Sequence, residues 1–545
     1  MKKLHIKALC AACFIFLCVP LFAQKKELTF EQIFKGKAHN ITSSTPAITG
    51  WADNSHYIES IWGAGGRSSS KVNVKNGTKS AIETETERVF IEDNNIIYTD
   101  AEGKRKQLTN TEAAEKNPTL SPDKQWVAFT RNNNLYAINI ATGKEVQYTT
   151  DGSDVILNGY SSWVYYEEIL GRYTNYKAFW WSPDSKHIAF FHSDDTKVPV
   201  FPIYSAEGQH GYLENTRYPK AGDPNPEVKT GIVTVEGGNI VWADFNEKDD
   251  QYFGQPYWTP DSKSLWLQWM PREQNNLKIY AVDITNGSKK EVYNETQKTW
   301  IDWKENIYFL ANNGGYILQN DADGWDQIYL YNMDGSLKQK LTNGKLWRTN
   351  IVKVDEKNNT VYYTSNAEIS TRTDLYSVKF DGKNLKRLTF GDYTHRVQLS
   401  PDAKYFITTY SNVSTPVKVA LVETKNSKIV KEIADSKGTE FDNYNMAKPE
   451  MVWIETPEGL KLPAMITLPI NLDQNKKYPV LINVYGGPNS ASVSDSWKGI
   501  GNPQWWAKEG IIQITIDHRG SGHNGKKGLD YMHRNLGKWE MTDYT

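Results

Sequence analysis

A turn followed at once by an apolar strand recurs along this chain, and that recurrence limits the fold more than any other feature. Its clear copies are Ser121-Pro122-Asp123-Lys124-Gln125-Trp126-Val127-Ala128-Phe129, Ser182-Pro183-Asp184-Ser185-Lys186-His187-Ile188-Ala189-Phe190, Thr259-Pro260-Asp261-Ser262-Lys263-Ser264-Leu265-Trp266-Leu267 and Ser400-Pro401-Asp402-Ala403-Lys404-Tyr405-Phe406. Proline presets the turn dihedral, and aspartate can bond its own backbone two residues on. A second apolar strand follows, as in Asn134–Ile138, Leu277–Val282, Gln327–Tyr331 and Asp374–Val378, and then a polar turn such as Met333-Asp334-Gly335-Ser336. Units of three or four short antiparallel strands, spaced by about 40–60 residues, cannot bury both faces alone; stacked radially they make a propeller. Seven or eight such units fit between residues 46 and 445, with the first two poorly marked. An array of β-sandwiches is the competing architecture, and the repeated turn–strand signature favours blades.

The 545 residues exceed one ordinary domain. A formal charge of −1 gives no electrostatic footprint for nucleic acid. Residues 1–23 read as a secretory signal, with Lys2 and Lys3 at the start, a short apolar core from Ala8 to Leu17, and Ala23 before the cut. Export to the periplasm or the extracellular space is the expectation, and an uncleaved membrane anchor is the alternative. Cys10, Cys13 and Cys18 all lie in that segment, so the mature chain would have neither disulfides nor a thiol nucleophile.

Outside the repeat, Thr29 and Gln32 can cap a short helix within residues 24–45. Residues 205–235, rich in Gly and Pro, read as a long loop or an extension leaving a blade. Past residue 446 the texture changes. Met451–Glu455 and Leu462–Leu468 suggest a hairpin around Pro457-Glu458-Gly459, and Trp505–Gly510 the end of a helix with a glycine stop. Pro479–Tyr485 and Ile511–Asp517 read as strands buried on both faces. Strand–helix–strand alternation marks the opening of an α/β sheet.

Two adjacent carboxylates, Glu167 and Glu168, follow four bulky residues in Trp163-Val164-Tyr165-Tyr166. Carboxylates in an aromatic wall can hold a cation such as a peptide amino terminus, whose unperturbed pKa of about 7.7–8 leaves it largely charged at neutral pH. The plainer reading of the pair alone is a solvated acidic loop.

Taken in order, Trp163–Glu168, Phe179–Asp184, Lys197-Val198-Pro199, Asp323-Gly324-Trp325, Val484-Tyr485-Gly486-Gly487-Pro488 and Asp517-His518-Arg519-Gly520-Ser521-Gly522 resemble the dipeptidyl peptidase IV family of serine exopeptidases. The resemblance covers nearly all of the mature chain. It implies a mainly β fold: a seven- or eight-bladed β-propeller over residues 46–445, eight-bladed in the family, followed by the truncated start of an α/β-hydrolase domain over 446–545. Residues 24–45 would pack on the hydrolase part. Glu167 and Glu168 match the acidic pair that holds the substrate's amino terminus, and Tyr485 matches the tyrosine that donates to the oxyanion. Many relatives carry a third acid where this chain has Tyr166, and the family arginine that holds a substrate carbonyl has no placed match. No cofactor is implied. The implied partners are peptides with a free N-terminus, and the family's habit of dimerising leaves room for a homodimer of the full-length chain.

The family nucleophile sits in a Gly-x-Ser-x-Gly elbow, and none occurs in these residues. The Ser-Asp-His triad is therefore expected beyond Thr545, and this stretch alone is expected to be inactive. Ser521 reads as a loop residue. Gly520–Gly525 matches the dinucleotide fingerprint formally, but no complete nucleotide-binding βαβ unit accompanies it. His187 and His192 read as surface histidines on opposite faces of a strand. The expected activity is release of N-terminal dipeptides with Pro or Ala second. The alternatives are a prolyl tripeptidyl peptidase and a non-catalytic propeller that binds peptides.

Overall fold

A computed structural model describes residues 25–38, 40–63, 66–82 and 87–545. The leader read in residues 1–23 lies outside them. Among the described residues, eight antiparallel sheets follow one another, here lettered A (47–81), B (88–107), C (115–147), D (156–242), E (251–296), F (308–340), G (350–387) and H (394–435). A and B are the units that the sequence marks poorly. The succession of small antiparallel sheets is consistent with a propeller.

The recurring turn has one geometry wherever it occurs. In sheet C, Ser121 Oγ donates to Asp123 Oδ1 (2.6 Å), Gln125 N donates to the same oxygen (3.1 Å), and Trp126 N donates back to Ser121 Oγ (3.0 Å). The fourth residue of each turn takes a left-handed φ: Lys124 at 61°, Ser185 at 63°, Ser262 at 58° and Ala403 at 56°. Neighbouring turns are stitched together, since Asp123 N donates to Ser185 Oγ (2.9 Å) and Asp184 N to Ser262 Oγ (3.1 Å).

Tryptophans link sheets in the same sense. The Trp181 indole of sheet D donates to the Thr119 carbonyl of C (3.1 Å), and Trp258 of E donates to Trp180 of D (3.2 Å). The Trp51 indole of sheet A donates to the Gln398 carbonyl of H (3.0 Å), so A stands to H as D stands to C. Tyr57, Val72 and Val74 of A share one core with Ile407, Val419 and Leu421 of H. First and last sheets therefore pack together, and the series closes.

The loop or extension expected at 205–235 is in part an ordered extension. Val200–Ser205 and Tyr212–Arg217 form an antiparallel arm, and Glu227–Thr234 rejoins sheet D. Gly208 (φ 73°) and Gly211 (φ 63°) allow the reversal between the arm's strands. His187 and His192 share the strand His187–Asp194 but are half-buried rather than surface residues, because neighbouring elements cover the strand; His192 Nδ1 pairs with Asn158 Oδ1 (2.8 Å).

The last sheet, I (449–516), is mixed. Its hairpin Pro449–Glu455 and Lys461–Thr467 pairs with Ile512–Ile516, which runs parallel to Val480–Asn483 after the crossover helix Asn502–Lys508. Val480–Asn483 does not meet the expectation of a strand buried on both faces. It is the sheet edge, with one neighbour, and all four of its residues are exposed because no described element covers them. The helix Phe30–Phe34 carries the expected capping box between Thr29 and Gln32. Leu28, Ile33 and Ile41 pack with Phe441, Tyr444, Ile500 and Trp505, so this segment touches both the link between sheets H and I and sheet I's helix. No helix among the described residues is long and apolar enough to cross a membrane.

Candidate functional site

The acidic pair lies in a widened helical turn inserted in sheet D, Tyr165–Ile169, where Leu170 N donates to the Tyr165 carbonyl (2.7 Å) five residues back. Such single wide turns appear frequently at functional sites. Tyr165 anchors the turn: its side chain is buried, and its hydroxyl accepts from Phe253 N of sheet E (3.1 Å). The following positions face outward, leaving Glu167 half-buried and Glu168 exposed.

Aromatic rings fix the surroundings. Tyr166 stacks on Tyr176 at 3.8 Å, Tyr176 stacks on Tyr160 at 5.0 Å, and the Lys116 ammonium lies 4.5 Å above Tyr160. Trp163 packs on Tyr218, where the arm returns to the sheet (4.1 Å). The residue in place of a third acid, Tyr166, thus serves as one end of a stack. Asn175 and Tyr176 both have left-handed φ, 49° and 66°, a conformation that asparagine tolerates and that is costly for tyrosine.

The two acids differ in their partners. Glu167 receives Nε and Nη2 of Arg172, side-on and bidentate. That carboxylate raises the Arg172 pKa above its ordinary value. Glu168 makes no salt bridge among the described residues. Arg172 is a residue the sequence reading did not single out; its one signal was its position five residues after Glu167.

Tyr485 follows the exposed edge strand and is itself 73% exposed. Its ring lies over Gly487, where an added Cβ would come within 2.6 Å of Tyr485 Cε1. Four residues beyond Tyr485 the loop is fastened to the ring of sheets. The Trp347 indole donates to Asn489 Oδ1 (2.9 Å), Arg348 Nη2 donates to the Asn489 carbonyl (3.0 Å), and Asn489 N donates to the Gly520 carbonyl (2.8 Å). These residues border a polar cavity of about 350 Å³, shared with Asp302, Asp321 and Asp326. Neither acid of the pair nor Tyr485 lines it.

The motif from Asp517 to Gly522 organises this junction. Arg519 is buried, held by the Asp543 carboxylate (Nη2 to Oδ1, 2.7 Å) and by the faces of Trp539 (4.2 Å) and Tyr531 (4.8 Å). At Gly522 a Cβ would meet Asn489 Oδ1 at 2.6 Å and Trp347 Nε1 at 2.9 Å. Asp517 Oδ2 accepts from Val493 N (2.8 Å) and pairs with His523 Nε2 (2.9 Å), and the opposite ring nitrogen, Nδ1, pairs with Ser370 Oγ (2.8 Å) in the loop of sheet G. Burial opposes ionisation of Asp517, but the His523 bond and the amides of Ser492 and Val493 outweigh it and hold the carboxyl below its ordinary pKa. Ser521 is a buried turn residue whose carbonyl faces Arg348 (3.5 Å). No group of three or more metal-ligating side chains occurs among the described residues.

Residues 75–417 match the model of the dipeptidyl peptidase IV N-terminal region. The chain is 32% identical over 448 residues to a dipeptidyl peptidase 4 of Trichophyton rubrum, covering 78% of this chain and 56% of that protein. It is also 32% identical over 442 residues to a dipeptidyl peptidase 4 of Arthroderma otae, covering 76% and 56%. The chain thus spans little more than half the length of these relatives. The crystal structure of Porphyromonas gingivalis dipeptidyl peptidase 4 superposes with a TM-score of 0.80 at 26% identity, over 96% of this chain and 78% of that one. With a family model matching more than half of its residues, and with the acidic turn and the Tyr485 loop carried on this fold, the chain belongs to the dipeptidyl peptidase IV family.

Proposed function

We propose that the full-length protein is an exported serine dipeptidyl peptidase that releases N-terminal dipeptides with Pro or Ala second. In this reading sheets A–H are the eight blades of a propeller, and residues 446–545 open an α/β-hydrolase domain. The observation that carries it is the pair Glu167–Glu168, presented outward on a turn that Tyr165 and the tyrosine stack hold rigidly. The substrate's ammonium meets these carboxylates, and the length between that anchor and the scissile carbonyl counts two residues. A serine, activated by histidine and aspartate, attacks that carbonyl; all three are assigned to the full-length protein. The Tyr485 hydroxyl donates to the oxyanion as it forms. The amine leaves, and water hydrolyses the acyl-enzyme.

Three measurements test this. The full-length protein should prefer Gly-Pro-anilide to Ala-Ala-Pro-anilide; preference for the longer substrate selects the prolyl tripeptidyl peptidase reading. Tyr485→Phe should lower kcat by about 10²–10³ with KM nearly unchanged. Peptide binding with no hydrolysis of either anilide would select the non-catalytic binder.

A further inference from the structure

The two acids of the proposed clamp are unlike, and the difference lies in Arg172. Its guanidinium engages both oxygens of Glu167, whose side chain is 15% exposed, while its own side chain is 70% exposed. Arg172 therefore approaches from the solvent side, the side from which a peptide would come. Its backbone is fixed more firmly than its side chain. The short turn Arg172–Thr174 starts at Gly171 (φ 87°) and ends at left-handed Asn175. Asn117 Nδ2 holds the Asn175 carbonyl (3.0 Å), and Tyr176 is locked in the stack. The guanidinium is thus delivered to Glu167 by an ordered turn, yet it can swing away without uncovering a core.

A guanidinium on a carboxylate occupies the charge that a primary ammonium would seek. From this we infer that Arg172 is a specificity-determining gate for the amino-terminal site: it stands in for the substrate's ammonium when the site is free and is displaced from Glu167 when a peptide binds. The inference rests on the assignment of Glu167 and Glu168 to the substrate amino terminus. With Arg172 in place, only Glu168 is free, so a weakly held or uncharged amine meets one carboxylate. A protonated terminus that competes for Glu167 gains both. The Arg172 half of the pair lies largely in solvent, which limits the cost of moving it away, so a full charge can displace the gate and a neutral group cannot.

The test uses the full-length protein and Gly-Pro-anilide, with Glu167→Gln, Arg172→Ala and the double variant. Removing a competitor of this strength should lower KM by about two- to five-fold, the change lying in KM rather than in kcat. It should also improve binding of N-acetylated or unprotonated peptides relative to protonated ones. In the Glu167→Gln background, Arg172→Ala should bring no further gain, because the carboxylate it guards is gone. Glu167→Gln alone should raise KM at least ten-fold; no change there overturns the clamp assignment itself. If Glu167→Gln raises KM and Arg172→Ala raises it too, the clamp stands and the gate falls: Arg172 would then orient Glu167 rather than block it.

Discussion

Two apolar strands have opposite fates in this molecule. In sheet E, the strand Ser264–Pro271 is buried on both faces: Leu265 and Leu267 join the core shared with sheet D, and Trp266 joins the core shared with sheet F. In sheet I, the strand Val480–Asn483 is exposed throughout. Both are apolar runs in sequence, and both pair with a neighbour. The difference is that the first belongs to a unit with a similar unit on each side, whereas the second has one neighbour and no covering layer among the described residues. Burial is a property of the series of sheets, and an apolar run states only what a strand can tolerate.

The largest expected effect is in the ring. Trp266→Ala should cost about 3–5 kcal/mol in denaturant unfolding, because the indole is packed edge-on against Phe309 and Tyr316 (4.8 and 4.9 Å) and would leave a cavity. A loss below 1 kcal/mol would mean the sheets do not share their cores as described. Next is the junction between ring and sheet I. Asp517→Ala strands the His523 imidazole and two amides, and should cost about 3 kcal/mol; a change confined to the sheet I transition, with the ring unaffected, would show that the two regions unfold independently.

Two buried carboxylates sharpen the contrast through pH. Burial raises Asp195, at the base of the arm, to about 6 despite the Ser193 hydroxyl bond. Its folded form holds a proton that the unfolded chain releases near 3.8, so its stabilising contribution is full below that pH and fades as pH rises through about 6. Asp517 runs the other way: its contribution is present above the ordinary carboxylate pKa and is lost as pH falls through its lower folded value. Asp195→Asn should therefore raise stability at pH 8 by about 2 kcal/mol relative to its effect at pH 4, read from urea unfolding at both values; an unchanged pH slope contradicts it. The smallest effect belongs to the exposed edge. Ile482→Ser should change stability by less than about 0.5 kcal/mol in this chain while reducing binding of a hydrophobic dye.

Much of this was legible beforehand because it rests on local chemistry. Pro-Asp turns dictated the strand starts, the Thr29–Gln32 box dictated a helix start, and the βαβ order of sheet I followed from the run of apolar strand, helix and apolar strand. The arm at 200–217 was legible only as a loop or extension, because its exposed strands alternate weakly while Gly208 and Gly211 at the tip mark the reversal. The half-burial of His187 and His192 was missed because it comes from other elements: Trp258 of sheet E lies beside His187, and Asn158 and Trp242 of their own sheet lie beside His192.

By itself the sequence determined where the strands behind the Pro-Asp turns begin and that the units repeat, since turns and periodicity act over a few residues. It also placed Glu167 and Glu168 side by side, because adjacency along the chain needs no fold. Tertiary structure alone decided that sheet H meets sheet A, that Trp347 and Arg348 fasten the loop of Tyr485, and that Arg172 rests on Glu167 while Glu168 stays free. Those contacts join groups whose meeting depends on closure and on side-chain direction, which no short stretch of residues encodes.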